Sequence, residues 1–234
     1  MKATGELIER SVLIPPAGLE GDLVIPEKAT AIVAFAHGSG SSRHSPRNQY
    51  VAHVLQKGGL ATLLFDLLTA KEERIDVRTA HLRFDIALLA RRLSEATAWL
   101  KKDADTRDLL IGYFGASTGA AAALVAAAQR PGDVFAVVSR GGRPDLAGAS
   151  LPLVRASTLL IVGGEDTPVI DMNQDALRQL RVEEKKLEIV PGATHLFEEP
   201  GTLEKAAELA RKWFSRHLSL DPVSNRNALR QKIP

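Results

Sequence analysis

Apolar positions along this chain fall into two rhythms. Short, largely unbroken apolar runs recur at 31–36, 60–65, 109–114, 134–138, 158–162 and 187–190. Runs of that length, bounded by glycine, proline or charge, predict strands buried on both faces, as in a parallel sheet covered by helices. Two further segments, 9–14 and 18–25, are separated by Pro15-Pro16 and read as an antiparallel pair at the sheet edge. Between the runs the rhythm turns helical. A helix is expected over 48–57, stopped by Gly58-Gly59, and a long one over 81–102, with Leu82, Ile86, Leu89, Leu93, Ala96 and Leu100 on one side. Others are expected over 120–128, around 173–180, and over 202–218, where Glu208 precedes Arg211 and Lys212 at ion-pairing distance. The charged stretch 71–78 reads as a solvated surface loop. The sum is an eight-stranded, mostly parallel, doubly wound α/β architecture.

Composition narrows this picture. At 234 residues and 45% apolar the chain suits a single domain over 1–234, with a core at about 8–218 and a polar C-terminal extension over 219–234. That extension reads as a surface-packed tail or a partner arm. A formal net charge of +2, with acids and bases interspersed, offers no stripe for nucleic acid or for a membrane surface. The uncharged run 109–128 has the length of a membrane span, but glycines, a serine and a threonine break it, and a buried strand followed by an alanine-rich helix accounts for it. The chain has no cysteine, so thiol catalysis and disulfides are excluded, and Met1 to Glu6 lack the apolar core of a secretory signal. A cytoplasmic location is the expectation.

Chemistry concentrates at strand ends. Ser117 sits in Gly115-Ala116-Ser117-Thr118-Gly119, between an apolar run and an alanine-rich one. There a tight strand-to-helix turn would project its hydroxyl, and flanking glycines would let strand and helix approach. Such a pentapeptide also arises by chance, so its context matters. The run 159–162 leads into Gly163-Gly164-Glu165-Asp166, and 187–190 leads into Pro191-Gly192-Ala193-Thr194-His195. Serine, acid and histidine therefore follow in order, each just past a predicted strand. Upstream, 31–36 ends in His37-Gly38-Ser39-Gly40.

On these four segments the chain resembles an α/β-hydrolase over about 8–218, and within that superfamily the small dienelactone-hydrolase-like group. It departs from dienelactone hydrolase proper in having serine where that enzyme has a cysteine nucleophile. The resemblance implies an α/β-hydrolase fold, and the short connection over 139–157 implies no large cap domain. It further implies a nucleophile at Ser117, a base at His195, an acid at Asp166 with Glu165 as rival, and oxyanion donors at the backbone N–H groups of Ser39 and Thr118. His37 would organise the oxyanion loop. The expected substrate is a small-molecule ester, with no cofactor and no metal, since His44, His53, His81 and His217 share no ligand spacing.

Arg43, Arg47, Arg140 and Arg143 follow the third and sixth strands, on the side of the site. They read equally as loop salt bridges or, for Arg43 and Arg140 above all, as ligands for a substrate carboxylate or phosphate. Competing readings remain. A thioesterase or acyltransferase would use the same triad, and a silent hydrolase fold would serve as a binding module. A dinucleotide loop at Gly112, Gly115 and Gly119 has its glycines in the wrong order.

Overall fold

In a computed structural model, which describes residues 7–220, eight strands form one sheet in the order β1-β2-β4-β3-β5-β6-β7-β8. The strands are β1 (Ile8–Ile14), β2 (Leu19–Ile25), β3 (Ala31–Ala36), β4 (Ala61–Phe65), β5 (Leu110–Ala116), β6 (Val134–Arg140), β7 (Ser157–Gly163) and β8 (Lys185–Val190). β1 pairs antiparallel with β2, and β2 antiparallel with β4; every later pairing is parallel. β3 and β5 show why their sequences are unbroken apolar runs: all of β3, and all of β5 after Leu110, is buried. β1 at the edge alternates instead, with Val12 and Ile14 buried and Leu13 exposed.

Helices cover both faces. α1 (Pro46–Lys57) and α6 (Thr202–Leu220) bury Val51, Leu55, Ala206, Ala210 and Phe214 against one face. On the other face lie α3 (Ile86–Leu100), α4 (Thr118–Gln129) and α5 (Thr167–Gln179), with Leu89, Leu93, Ala123, Leu124 and Ala176 in the core. Each large aliphatic side chain buried in this way contributes about 1.5–3 kcal/mol relative to leaving it in water. The expected 3.6-residue rhythm and the alanine run are both explained by these faces.

Two expectations are corrected. The stretch 71–78 lies inside α2 (Ala70–Thr79), not in a loop. Thr69 and Glu72 form a reciprocal capping box: Thr69 Oγ1 accepts from the Glu72 N–H at 3.2 Å, and Glu72 Oε2 accepts from the Thr69 N–H at 2.8 Å. The single long helix over 81–102 is broken. A short 3-10 turn (Leu82–Phe84) precedes Asp85, whose carboxylate accepts from the Leu88 N–H at 2.9 Å and starts α3. Asp76 of α2, only 1% exposed, fastens this junction by accepting from the backbone N–H groups of Leu82 and Arg83 and from the Arg83 guanidinium.

The connection after β6 does not rise into a cap. It forms 3-10 turns (Pro144–Leu153) that bury Pro144, Ala147 and Leu151 beside α4 and α5. Asn173, fully buried on α5, donates to the Gly142 carbonyl at 3.0 Å and holds the start of that connection down. No described helix is long and apolar enough to cross a membrane. The extension expected over 219–234 lies, from 221 onward, outside the described residues.

Candidate active site

Strand order reverses at β3: β4 pairs on one side of it and β5 on the other. Connections leaving β3 and β5 therefore diverge, and a crevice opens at their carboxyl ends. Ser117 and His195 meet there, with Asp166 bonded to the histidine.

Ser117 occupies the bend between β5 and α4 with φ 51° and ψ −120°, a left-handed conformation unusual for a side-chain-bearing residue. Its neighbours explain why that bend can exist. A β-carbon on Gly115 would lie 2.4 Å from the Ala120 α-carbon, and one on Gly119 would lie 2.1 Å from the Ala36 carbonyl oxygen. Only glycine lets β5, α4 and the end of β3 come this close. The bend is clamped from the β6 side, since the Ser117 N–H donates to the Arg140 carbonyl at 3.3 Å and the Ser117 carbonyl accepts from the Arg143 N–H at 3.1 Å. Thr118 is the first residue of α4, so its N–H has no intrahelical acceptor.

Asp166 begins α5 just after β7. A residue at that position usually caps the helix with its own side chain, but Asp166 makes no such bond. Its Oδ2 lies 2.7 Å from Nδ1 of His195, in the loop after β8. The carboxylate therefore holds the Nδ1–H tautomer, leaving Nε2 free to accept a proton. Glu165 is exposed, and its backbone N–H donates to the Ala193 carbonyl at 3.0 Å. Glu199, which the sequence reading passed over, fixes the histidine loop: it accepts from the Thr194 N–H at 3.0 Å and from the Thr194 hydroxyl at 2.6 Å. These bonds hold the Glu199 carboxyl below its ordinary range.

His37 follows β3 and is buried. Its Nε2 accepts from the Leu67 N–H at 3.0 Å, so the ring proton sits on Nδ1, 3.0 Å from the Gly38 carbonyl it donates to. Burial pushes its pKa down. A neutral imidazole with both nitrogens engaged ties the β3 loop to β4, and Ser39 stands on that loop beside the crevice.

Ser117, His195, Ser39 and Arg140 line one small cavity of about 190 Å³. Ser39, Ser41, Ser45 and Arg47 form its border with a larger polar cleft of about 660 Å³, which also reaches Glu20, His44 and Glu73.

The arginines separate. Arg43, expected to meet a substrate anion, is instead engaged by protein carboxylates: it pairs with Asp66, with Glu20 at 2.7 Å and with Asp22 at 3.4 Å. Arg143 makes a two-pronged pair with Asp145, and Arg47 pairs with Glu198 at 3.0 Å. Arg140 alone of the four makes no ion pair among the described residues. No set of three or more His, Cys, Asp or Glu among the described residues is arranged to hold a metal ion.

Known proteins share this fold. A crystal structure of a dienelactone hydrolase from Anabaena variabilis is 63% identical and superimposes with a TM-score of 0.87, covering 92% of this chain and 99% of that one. Est1E from Butyrivibrio proteoclasticus, 15% identical with a TM-score of 0.72 over 89% of this chain and 99% of its own, shares the fold. Two Mycobacterium tuberculosis proteins, provisionally named phosphoribosyl transferases, are 60% identical over 211 residues. That match takes in 90% of this chain but 46% of theirs, so the chain spans about half the length of these curated relatives. The profile of the dienelactone hydrolase family matches residues 19–220, and with that match spanning most of its length the chain belongs to the dienelactone hydrolase family.

Proposed function

We propose that the protein is a serine hydrolase that cleaves small carboxylic esters through an acyl-enzyme on Ser117. The observation that carries this reading is the 2.7 Å bond between Asp166 and His195 at a cavity whose wall is a serine on a glycine-flanked, left-handed bend. In the first half-reaction Ser117 Oγ attacks the ester carbonyl while His195 Nε2 takes its proton. Asp166 stabilises the imidazolium, and the proton passes to the departing alcohol. In this reading the N–H groups of Thr118 and Ser39 donate to the developing oxyanion, where one donor is typically worth about 3 kcal/mol. Water then repeats the sequence on the acyl-enzyme and releases the acid.

The small cavity beside Ser117 supports short acyl groups. A long chain would leave it, and each methylene left in water forgoes about 0.8 kcal/mol. Thioesters would pass through the same acyl-enzyme and belong in the same test. The name borne by the M. tuberculosis relatives does not redirect the reading, because less than half of each lies in the match.

The experiment is a panel of esters and thioesters of increasing acyl length, run on the wild-type protein and on Ser117→Ala, with a fluorophosphonate probe in parallel. Labelling of Ser117 and fastest turnover of short oxygen esters is the expected result. Unchanged turnover by Ser117→Ala would overturn the assignment.

A further inference from the structure

Among the described residues Arg140 has no counter-ion. It ends β6, is only 7% exposed, and its Nε and Nη1 atoms are buried with no hydrogen-bond partner. Its guanidinium carbon lies 5.9 Å from the centre of the Phe114 ring and 6.0 Å from that of Phe197. Those rings contribute a weak attraction to a cation but cannot replace its lost hydration. The neighbouring charge is of the same sign: burial and Arg47 push the Arg140 pKa down to about 10, which still leaves it charged near neutrality. Neither Asp166 nor Glu198 answers it, since Asp166 is engaged by His195 and Glu198 by Arg47.

A third source of positive potential meets the same cavity. α1 begins there, with Ser45 as its N-cap, accepting from the Asn48 N–H at 3.4 Å. Buried charges are normally paired in folded proteins. An unpaired guanidinium opening into a cavity beside a nucleophile is therefore a group whose partner arrives from solution.

We propose that Arg140, reinforced by Arg47 and the N-terminus of α1, binds the free carboxylate of a short dicarboxylic half-ester, so that the preferred substrate carries its anion at the far end of the acyl group. This rests on the serine-hydrolase reading above. A planar carboxylate matches the guanidinium fork in two parallel hydrogen bonds. The acyl side is assigned by the two cavities. The acyl group stays bonded to Ser117 through the second half-reaction and needs the confined space of about 190 Å³. The alcohol must leave, and the cleft of about 660 Å³ adjoins it. The chemistry balances as an ordinary hydrolysis. Ser117 Oγ bonds to the acyl carbon as the C–O bond to the alcohol breaks, and the alcohol departs with the proton held by His195. Water then frees Ser117 and yields a dicarboxylate.

The test compares monobenzyl glutarate with benzyl 5-methylhexanoate, its neutral isostere, and with the acetate ester of 4-(hydroxymethyl)benzoate, which places the carboxylate on the alcohol side. Benzylic alcohol release is followed in wild type, Arg140→Gln and Arg140→Lys. Wild type should favour the glutarate half-ester over its isostere by on the order of tenfold to a hundredfold in kcat/KM. Arg140→Gln should bring that ratio close to one and Arg140→Lys should restore part of it. Glutarate should bind Ser117→Ala calorimetrically, more tightly than inorganic phosphate, and lose that binding when Arg140→Gln is added. A merely structural Arg140 would lower both rates together and leave the ratio intact, which overturns the proposal. Preference for the alcohol-side anion, or tighter binding of phosphate, also overturns it. Ser117-dependent cleavage of neutral esters with no anion preference removes this subsite while leaving the hydrolase standing. Glutarate binding that depends on Arg140 in a protein that cleaves none of the esters supports the subsite and removes the hydrolase.

Discussion

Gly119 and Ala36 stand so close that a β-carbon on the first would lie 2.1 Å from the carbonyl oxygen of the second. That approach packs the start of α4 against the end of β3 and brings the Ser117 turn beside the loop of His37 and Gly38. Because the obstructing atom is backbone, Gly119→Ala should destabilise the protein by about 3 kcal/mol or more. Gly132→Ala, at a position with nothing within 4 Å, should leave the urea midpoint nearly unchanged. Equal midpoints for the two variants would contradict the close approach.

For the candidate triad, Ser117→Ala and His195→Ala should each lower ester kcat/KM by about 10⁴- to 10⁶-fold without a shift in melting temperature beyond a few degrees. Asp166→Asn should fold and lose activity heavily, because the amide presents the wrong group to Nδ1 of His195. Glu165→Gln should retain wild-type turnover. A larger loss for Glu165→Gln than for Asp166→Asn would transfer the acid role to Glu165.

His37 makes stability fall on the acid side. Its folded pKa is lowered by burial from an ordinary value of 6.5. Above that value both folded and unfolded chains hold it neutral, and its contribution is fully present. As pH drops through 6.5 toward the lowered folded value, the unfolded chain gains a proton that the folded chain refuses, and stability is lost. His37→Gln, whose amide oxygen can still accept from the Leu67 N–H, should show a smaller drop in unfolding free energy between pH 7.5 and 5.5. An identical drop in both proteins would assign the acid sensitivity elsewhere.

Asp76 offers a separate check on the α2–α3 junction. Burial alone would raise its carboxyl, but the Arg83 guanidinium and the backbone donors at Arg83 and Leu82 outweigh it and hold the pKa below the usual carboxylate range. Asp76→Asn removes the carboxylate that answers the Arg83 charge and should cost about 3 kcal/mol. Hydrogen exchange should then quicken over α2 before it quickens in α3. Uniform quickening across the fold would argue against a local fastening.

The β-strands were legible because burial on both faces forces a continuous apolar run, a condition written in the sequence itself. The order of serine, acid and histidine was legible for a related reason: each follows a strand, and crossovers in a parallel sheet bring strand ends to one edge. α2 was misread because its outward residues are mostly charged and its apolar face is slight. Thr69 and Glu72 at capping-box spacing were the available signal. The long helix over 81–102 was misread because apolar periodicity runs through Asp85, whose capping bond depends on a backbone turn.

Residue type and spacing thus determined the strand set, the helical faces and the kinds of group at the crevice. Tertiary structure decided which of several similar groups does what, because pairing depends on distances between segments far apart in the chain. Asp166 reaches His195 and Glu165 does not. Arg43 meets Glu20 and Asp22 of β2 and Asp66 just after β4, whereas Arg140, identical in chemistry, lies against Phe114 and Phe197 with no ion pair among the described residues. A guanidinium has the same charge wherever it stands. Its surroundings, assembled only by folding, determine whether a protein carboxylate neutralises it or it is left open to a ligand.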